Sequence, residues 1–67
     1  MILIKLVELL DAIPMSQHEL SRLTGIRQAT INDMCQNKTK RLVLDNLAKI
    51  CIALNCGITD ILELKEN

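Results

Sequence analysis

S-Q-H-E-L-S-R-L-T-G-I-R-Q-A-T-I-N-D-M-C-Q, residues Ser16 to Gln36, reads as helix, tight turn, helix, and it decides how the rest of the chain is read. Ser16 offers a hydroxyl at an N-cap position with Glu19 three residues on, the spacing at which each can satisfy an unpaired backbone N–H. Leu20, Leu23 and Thr24 then share one face at helical spacing. Gly25 stands where the chain must bend, because glycine takes a positive φ without steric cost. Beyond the bend, Ile31, Met34 and Cys35 fall on one side of a second helix, with Ala29, Asn32, Asp33 and Gln36 on the other and Gln28 and Thr30 flanking. That second side is polar but hardly charged.

Two short helices joined by a turn of about four residues containing glycine have the signature of a helix-turn-helix. The amide heads of Gln and Asn carry a donor and an acceptor in one plane, which matches the N6/N7 edge of adenine in the major groove. Groove reading by the second helix of the pair is the inference.

At these residues the chain resembles the Cro/cI-type (lambda-repressor-like) helix-turn-helix DNA-binding family. The matching features are Ser16-Gln17-x-Glu19-Leu20, Gly25-Ile26 at the turn, Thr30-Ile31, and Asn37-Lys38-Thr39-Lys40-Arg41. Leu47-Ala48 with Ala53-Leu54 is similar to the family's fourth helix, and Ile58-Thr59-Asp60-Ile61-Leu62 to its fifth, so the likeness spans nearly the whole chain. It implies an all-α fold, a compact five-helix domain with the helix-turn-helix at helices 2 and 3. It also implies a phosphate near Gln17, base contacts at Gln28, Ala29 and Asp33, and residues 37 to 41 on the DNA backbone.

Residue chemistry adds Asn32 and Gln36 to the expected base contacts, and Arg27 and Thr30 to the phosphate contacts, which already number Gln17, Asn37, Lys38, Lys40 and Arg41. The chain departs from the family pattern at three places. Asn37 replaces a frequent glycine, and Asn is the next-best occupant of a left-handed cap. Leu10 and Cys35 stand where many members pair Arg with Glu, which predicts an apolar contact. Asp33 brings a negative charge to the groove face, unfavourable near phosphate unless it accepts from cytosine N4.

With 67 residues the chain is expected to be one domain, residues 1 to 67, near the lower size limit for folding without a disulfide or metal. Phe, Tyr and Trp are all absent, so the core must be built from Leu, Ile, Val, Ala, Met and Cys. Formal net charge is zero, which argues against a non-specific polyanion binder. The distribution says more: between residues 22 and 41, Arg22, Arg27, Lys38, Lys40 and Arg41 stand against the single acid Asp33, a net of +4, while each flank carries −2. Cationic charge gathers on the helix pair.

Three cysteines, Cys35, Cys51 and Cys56, are an odd number without zinc-like spacing and without a signal peptide before them, so a reducing, cytoplasmic setting is expected. Cys51 and Cys56 read as small core hydrophobes. No apolar run approaches the roughly 18 residues of a membrane span.

The first helix is expected over about Ile4 to Ile13, with Leu6, Leu9, Leu10 and Ile13 as its buried stripe and Pro14 closing it. Ile2, Leu3 and Ile4 exceed what the stripe requires. They extend that helix, form a strand against the tail near Glu63 to Lys65, or meet a second subunit; the sequence leaves these open. The fourth helix is expected over about Leu44 to Asn55 with Leu44, Leu47, Ala48, Cys51 and Leu54 inside, broadened by Ile50, Ile52 and Ala53. So apolar a helix implies a second covering, for which a homodimer is one economical explanation. Thr59 is placed to cap a short last helix pinned by Ile58, Ile61 and Leu62, and Lys65 to Asn67 reads as a frayed end.

Catalytic residues, a metal site and a cofactor are not expected. The single histidine, His18, has no nucleophile or paired carboxylate near it and reads as an exposed helical side chain. The reading is therefore a non-enzymatic, sequence-specific regulator that binds double-stranded DNA. The rival is a protein-interaction or antitoxin-like module on the same fold, since fold does not fix function.

Overall fold

Ile2-Leu3-Ile4 forms strand β1 (Ile2–Ile4) in the computed structural model, which describes residues 1–66. It pairs antiparallel with β2 (Leu62–Leu64), with Ile2 opposite Leu64, Leu3 opposite Glu63 and Ile4 opposite Leu62. Of the three uses left open, the strand is therefore the one taken. The ladder runs past both strands: Lys5 N–H donates to Ile61 O at 2.6 Å and Lys65 N–H to Met1 O at 2.8 Å. Lys65 is thus tied down and not frayed, while Asn67 lies outside the described residues. The two-residue period puts Ile2, Ile4, Leu62 and Leu64 on one face of the sheet, and burial falls off along it: Ile4 is buried and Leu62 half-buried, while Ile2 and Leu64 at the outer end are exposed.

Helix α1 (Leu6–Ala12) is shorter than expected, starting later because Ile4 belongs to the strand and ending one residue earlier, with Ile13 as its C-cap. Leu6 and Leu10 are buried and Leu9 half-buried, but Ile13 is exposed although it keeps helical dihedrals next to Pro14 and donates its N–H to Leu9 O at 3.2 Å. Helix α2 (Gln17–Thr24) begins as its cap demands, with Ser16 Oγ accepting from Glu19 N–H at 3.0 Å. Helix α3 (Gln28–Cys35) follows after Gly25, which ends α2 at a φ of 74°. Helix α4 (Leu44–Leu54) stops at Asn55, also left-handed, with a φ of 52°. Helix α5 (Ile58–Ile61) is capped through Asp60, whose Oδ2 accepts from Gly57 N–H at 2.9 Å, and not through Thr59.

The side chains that exclude solvent completely are Leu6, Leu20, Ile31, Met34, Ile50 and Ile61, so every one of the five helices contributes to one buried cluster. The α4 stripe is rotated from the expected one. Leu47 and Ile50 are buried and Cys51, Ala53 and Leu54 half-buried, whereas Leu44, Ala48 and Ile52 face outward. A helix apolar on nearly every side carries no periodic signal of its phase, and the packing of α2 against it sets that phase instead. The fold is mostly helical, with the two-stranded sheet as its one departure from an all-α plan.

Asn37 ties the sheet to the helices. At a φ of 56°, its side-chain Oδ1 accepts from Ile4 N–H at 2.7 Å and its Nδ2 donates to Ile4 O at 3.1 Å, standing in for a third strand. Asn37→Gly should cost about 1–3 kcal/mol in thermal melting, because two part-buried backbone groups lose their partners. Glycine suits that φ better than any other residue, so an unchanged or raised midpoint would show that the amide clamp contributes nothing.

Candidate nucleic-acid interface

The turn between α2 and α3 is held by side chains as well as backbone. Thr24 Oγ1 donates to Leu20 O at 2.8 Å and accepts from Ile26 N–H at 3.2 Å, Ser21 Oγ donates to Ile26 O, and Gly25 N–H donates to Ser21 O at 2.8 Å. Ile26 itself is buried. These bonds leave the chain little freedom to change the angle between the two helices.

On the inner side of α3, Ile31, Met34 and Cys35 are buried. Burial pushes the Cys35 thiol above its ordinary range, and the carboxylates of Asp11 and Glu8 push it further the same way, so it stays protonated and packs as an apolar group. Leu10 belongs to the same buried cluster, in keeping with the apolar replacement of a charged pair.

On the outer side Gln28, Ala29, Asp33 and Gln36 are exposed, and Asn32 and Thr30 are half-buried. All three amides of this side are paired with neighbours: Gln36 Nε2 donates to Asn32 Oδ1 at 3.2 Å, and His18 Nδ1 lies 3.3 Å from Gln28 Oε1. Amide heads held this way lose less rotamer freedom when a ligand engages them. The His18 contact is a residue role at this surface that sequence reasoning missed. No spacing along one helix relates residues 18 and 28; only the bend brings the first turn of α2 to the first turn of α3. Half-buried Gln17 and exposed Arg27, each next in sequence to one member of that contact, border it.

At its far end α3 runs directly into the basic loop. Asn37 N–H donates to Met34 O at 3.2 Å and Lys38 N–H to Asp33 O at 2.9 Å, closing the helix and fixing where Lys38 emerges. Lys38, Lys40 and Arg41 are all exposed. They do not share one setting: Lys38 sits at the helix end, whereas Lys40 lines a shallow groove with Ile2, Ile4 and Leu62 beside the sheet. Asn37 has its amide committed to Ile4 and differs in that from the other loop residues. Among the described residues no group of three or more His, Cys, Asp or Glu side chains is arranged to hold a metal ion, and no helix is long and apolar enough to cross a membrane.

The model of the Cro/C1-type HTH DNA-binding domain matches residues 5–67. Among solved structures, one similar to this chain is a protein from Bacteroides fragilis assigned to DNA binding, with 25% sequence identity and a TM-score of 0.83 over 94% of this chain and all of that one. Another is the transcriptional regulator VanUg, with 33% identity and a TM-score of 0.78 over 97% of this chain and 87% of that one. No curated protein matches the chain.

Proposed function

The chain belongs to the Cro/C1-type helix-turn-helix DNA-binding domain family, and from that premise we propose that residues 1 to 67 act as one sequence-specific regulator, α3 reading bases in the major groove while the loop after it holds the backbone. Gln28, Ala29, Asn32, Asp33 and Gln36 face base edges in this reading. Gln28 and Asn32 favour adenine, and Asp33 accepts from cytosine N4, the one base edge that turns its charge to advantage. Gln17, Arg27, Thr30, Lys38, Lys40 and Arg41 meet phosphates; Asn37 serves by fixing the loop, since its amide is already taken by Ile4.

The observation that carries this reading is a helix anchored by three buried side chains on one side and offering a row of paired, uncharged amides on the other. A merely solvated helix face has no use for such a row, and charged residues would be the ordinary occupants. The protein acts as a homodimer on a near-palindrome whose half-sites lie one helical turn, about 34 Å, apart.

Selection of binding sites from random duplex tests the reading. The wild-type chain should enrich one near-palindromic sequence, and Gln28→Ala should change which base is preferred at one position of each half-site. A well-placed bidentate contact is worth about 1–3 kcal/mol of discrimination. Equal weakening on every sequence would remove Gln28 from base reading, and enrichment of no sequence would reject operator recognition altogether.

A further inference from the structure

The outward side of α4 is a part of the surface that DNA contact leaves unused. Leu44 and Ile52 are 77% and 79% exposed, and Ile58 at the start of α5 is 58% exposed beside them. Together with Leu47, Ala48 and Cys51 they line one open groove that carries no charged side chain. Three side chains of this size, so far exposed, present roughly 400 Å² of apolar surface in one place, within the range where such patches mark interaction sites.

From this patch we infer that α4 packs antiparallel against α4 of a second copy of the chain, across a two-fold axis at Ala48. The inference rests on the homodimer reading above and names its interface. Leu44, Ala48 and Ile52 recur at i, i+4 and i+8, so they form one ridge inclined to the helix axis with a small residue at its midpoint. Turned about Ala48, the stripe meets itself: Leu44 of each copy lies against Ile52 of the other, and the methyl group at the crossing permits close approach of the helices.

The charges beside the stripe favour the same arrangement. Asp45 and Lys49, both exposed, are four residues apart on one flank of it. In an antiparallel two-fold pair, like flanks face each other with their directions reversed. Asp45 of each copy then lies about two residues, roughly 3 Å, along the axis from Lys49 of the other, within reach of two ion pairs, while the two Lys49 side chains meet at the same spacing and splay apart toward their acids. A parallel pairing would put both charges against the opposite flank and forfeit them. Self-association thus uses every feature of the face: uncharged floor, matched ridges and complementary rim.

The patch supplies about half of the roughly 800 Å² per partner that a standard stable interface buries. Free dimerisation is therefore weak, in roughly the micromolar range, and an operator with two half-sites completes it by holding the copies together.

Sedimentation equilibrium with interference optics measures the association, since the chain has no aromatic residue to absorb at 280 nm. Ile52→Asp should leave melting nearly unchanged, because the side chain is already in water, and should weaken dimerisation by at least about tenfold. Asp45→Lys alone turns two attractions into two repulsions and should weaken it roughly five- to thirtyfold; adding Lys49→Asp should return it to within about threefold of wild type. On a duplex carrying one recovered half-site, all three variants should bind as the wild type does.

Failure of the double charge reversal to restore association would overturn the antiparallel arrangement. Persistence of the dimer in Ile52→Asp would overturn this face while leaving the homodimer standing, and a wild-type chain that stays monomeric free and on the palindrome would overturn both. Should the expected pattern of association appear in a protein that binds no duplex, the interface is upheld and operator recognition falls on its own.

Discussion

Ile31→Ala should lower the thermal midpoint by roughly 10–25 °C, a far larger stability effect than truncation of any exposed residue of α3. Ile31 is completely buried and lies at the centre of the inner side of α3, between the helix-turn-helix and the residues that α1, α4 and α5 send inward. Truncating a buried isoleucine costs about 2–5 kcal/mol, part from lost burial and part from the cavity left in a core without aromatic rings to fill it. Each kcal/mol moves the midpoint of a domain this small by about 4–8 °C. A whole domain of this length has only about 3–10 kcal/mol to lose, so the variant should be partly unfolded at physiological temperature. Far-UV circular dichroism reads the transition where fluorescence has no reporter. Ile52→Ala is the control: it deletes the same atoms from a side chain 79% exposed and should shift the midpoint by only a degree or two. Equal effects at the two sites would mean that α3 is not anchored through Ile31.

The contrast between those two isoleucines also marks where the sequence was legible. Chemistry local to one turn could be read directly: Ser16 and Gly25 bound α2 because a hydroxyl cap and a left-handed glycine act within four residues of themselves. The inner side of α3 was equally plain, its three apolar residues being interrupted by polar ones. On α4 the same method misplaced the stripe. With apolar residues almost all round, Leu44 and Ile52 looked as internal as Ile50, and only the packing partner distinguishes them.

Partners distant in sequence were the other limit. Ile2 to Ile4 form a strand because residues 62 to 64 lie alongside, and nothing within the run itself selects a strand over an extension of the helix. The two bonds from Asn37 to Ile4 span 33 residues, so Asn37 was legible as a left-handed cap but not as a clamp. His18 belongs to the same class. Its contact with Gln28 arises from the angle of the bend, and a histidine that looks idle on its own helix becomes a neighbour of the leading amide on the next.

The central claim is that α3 and the loop after it form the surface that meets DNA, and the dependence of duplex binding on salt tests it most directly. Each cation placed on a phosphate releases counterions and adds about 0.9 to the slope of log affinity against log salt. Lys38, Lys40 and Arg41 are exposed, and none is part of the buried cluster, so replacing all three with alanine should leave folding intact. The triple variant should lose about 2.7 from the slope and roughly a hundredfold or more in affinity at low salt, with every duplex weakened alike. An unchanged slope with unchanged affinity would contradict the account, because the cations of the loop that follows α3 would then lie away from the nucleic acid.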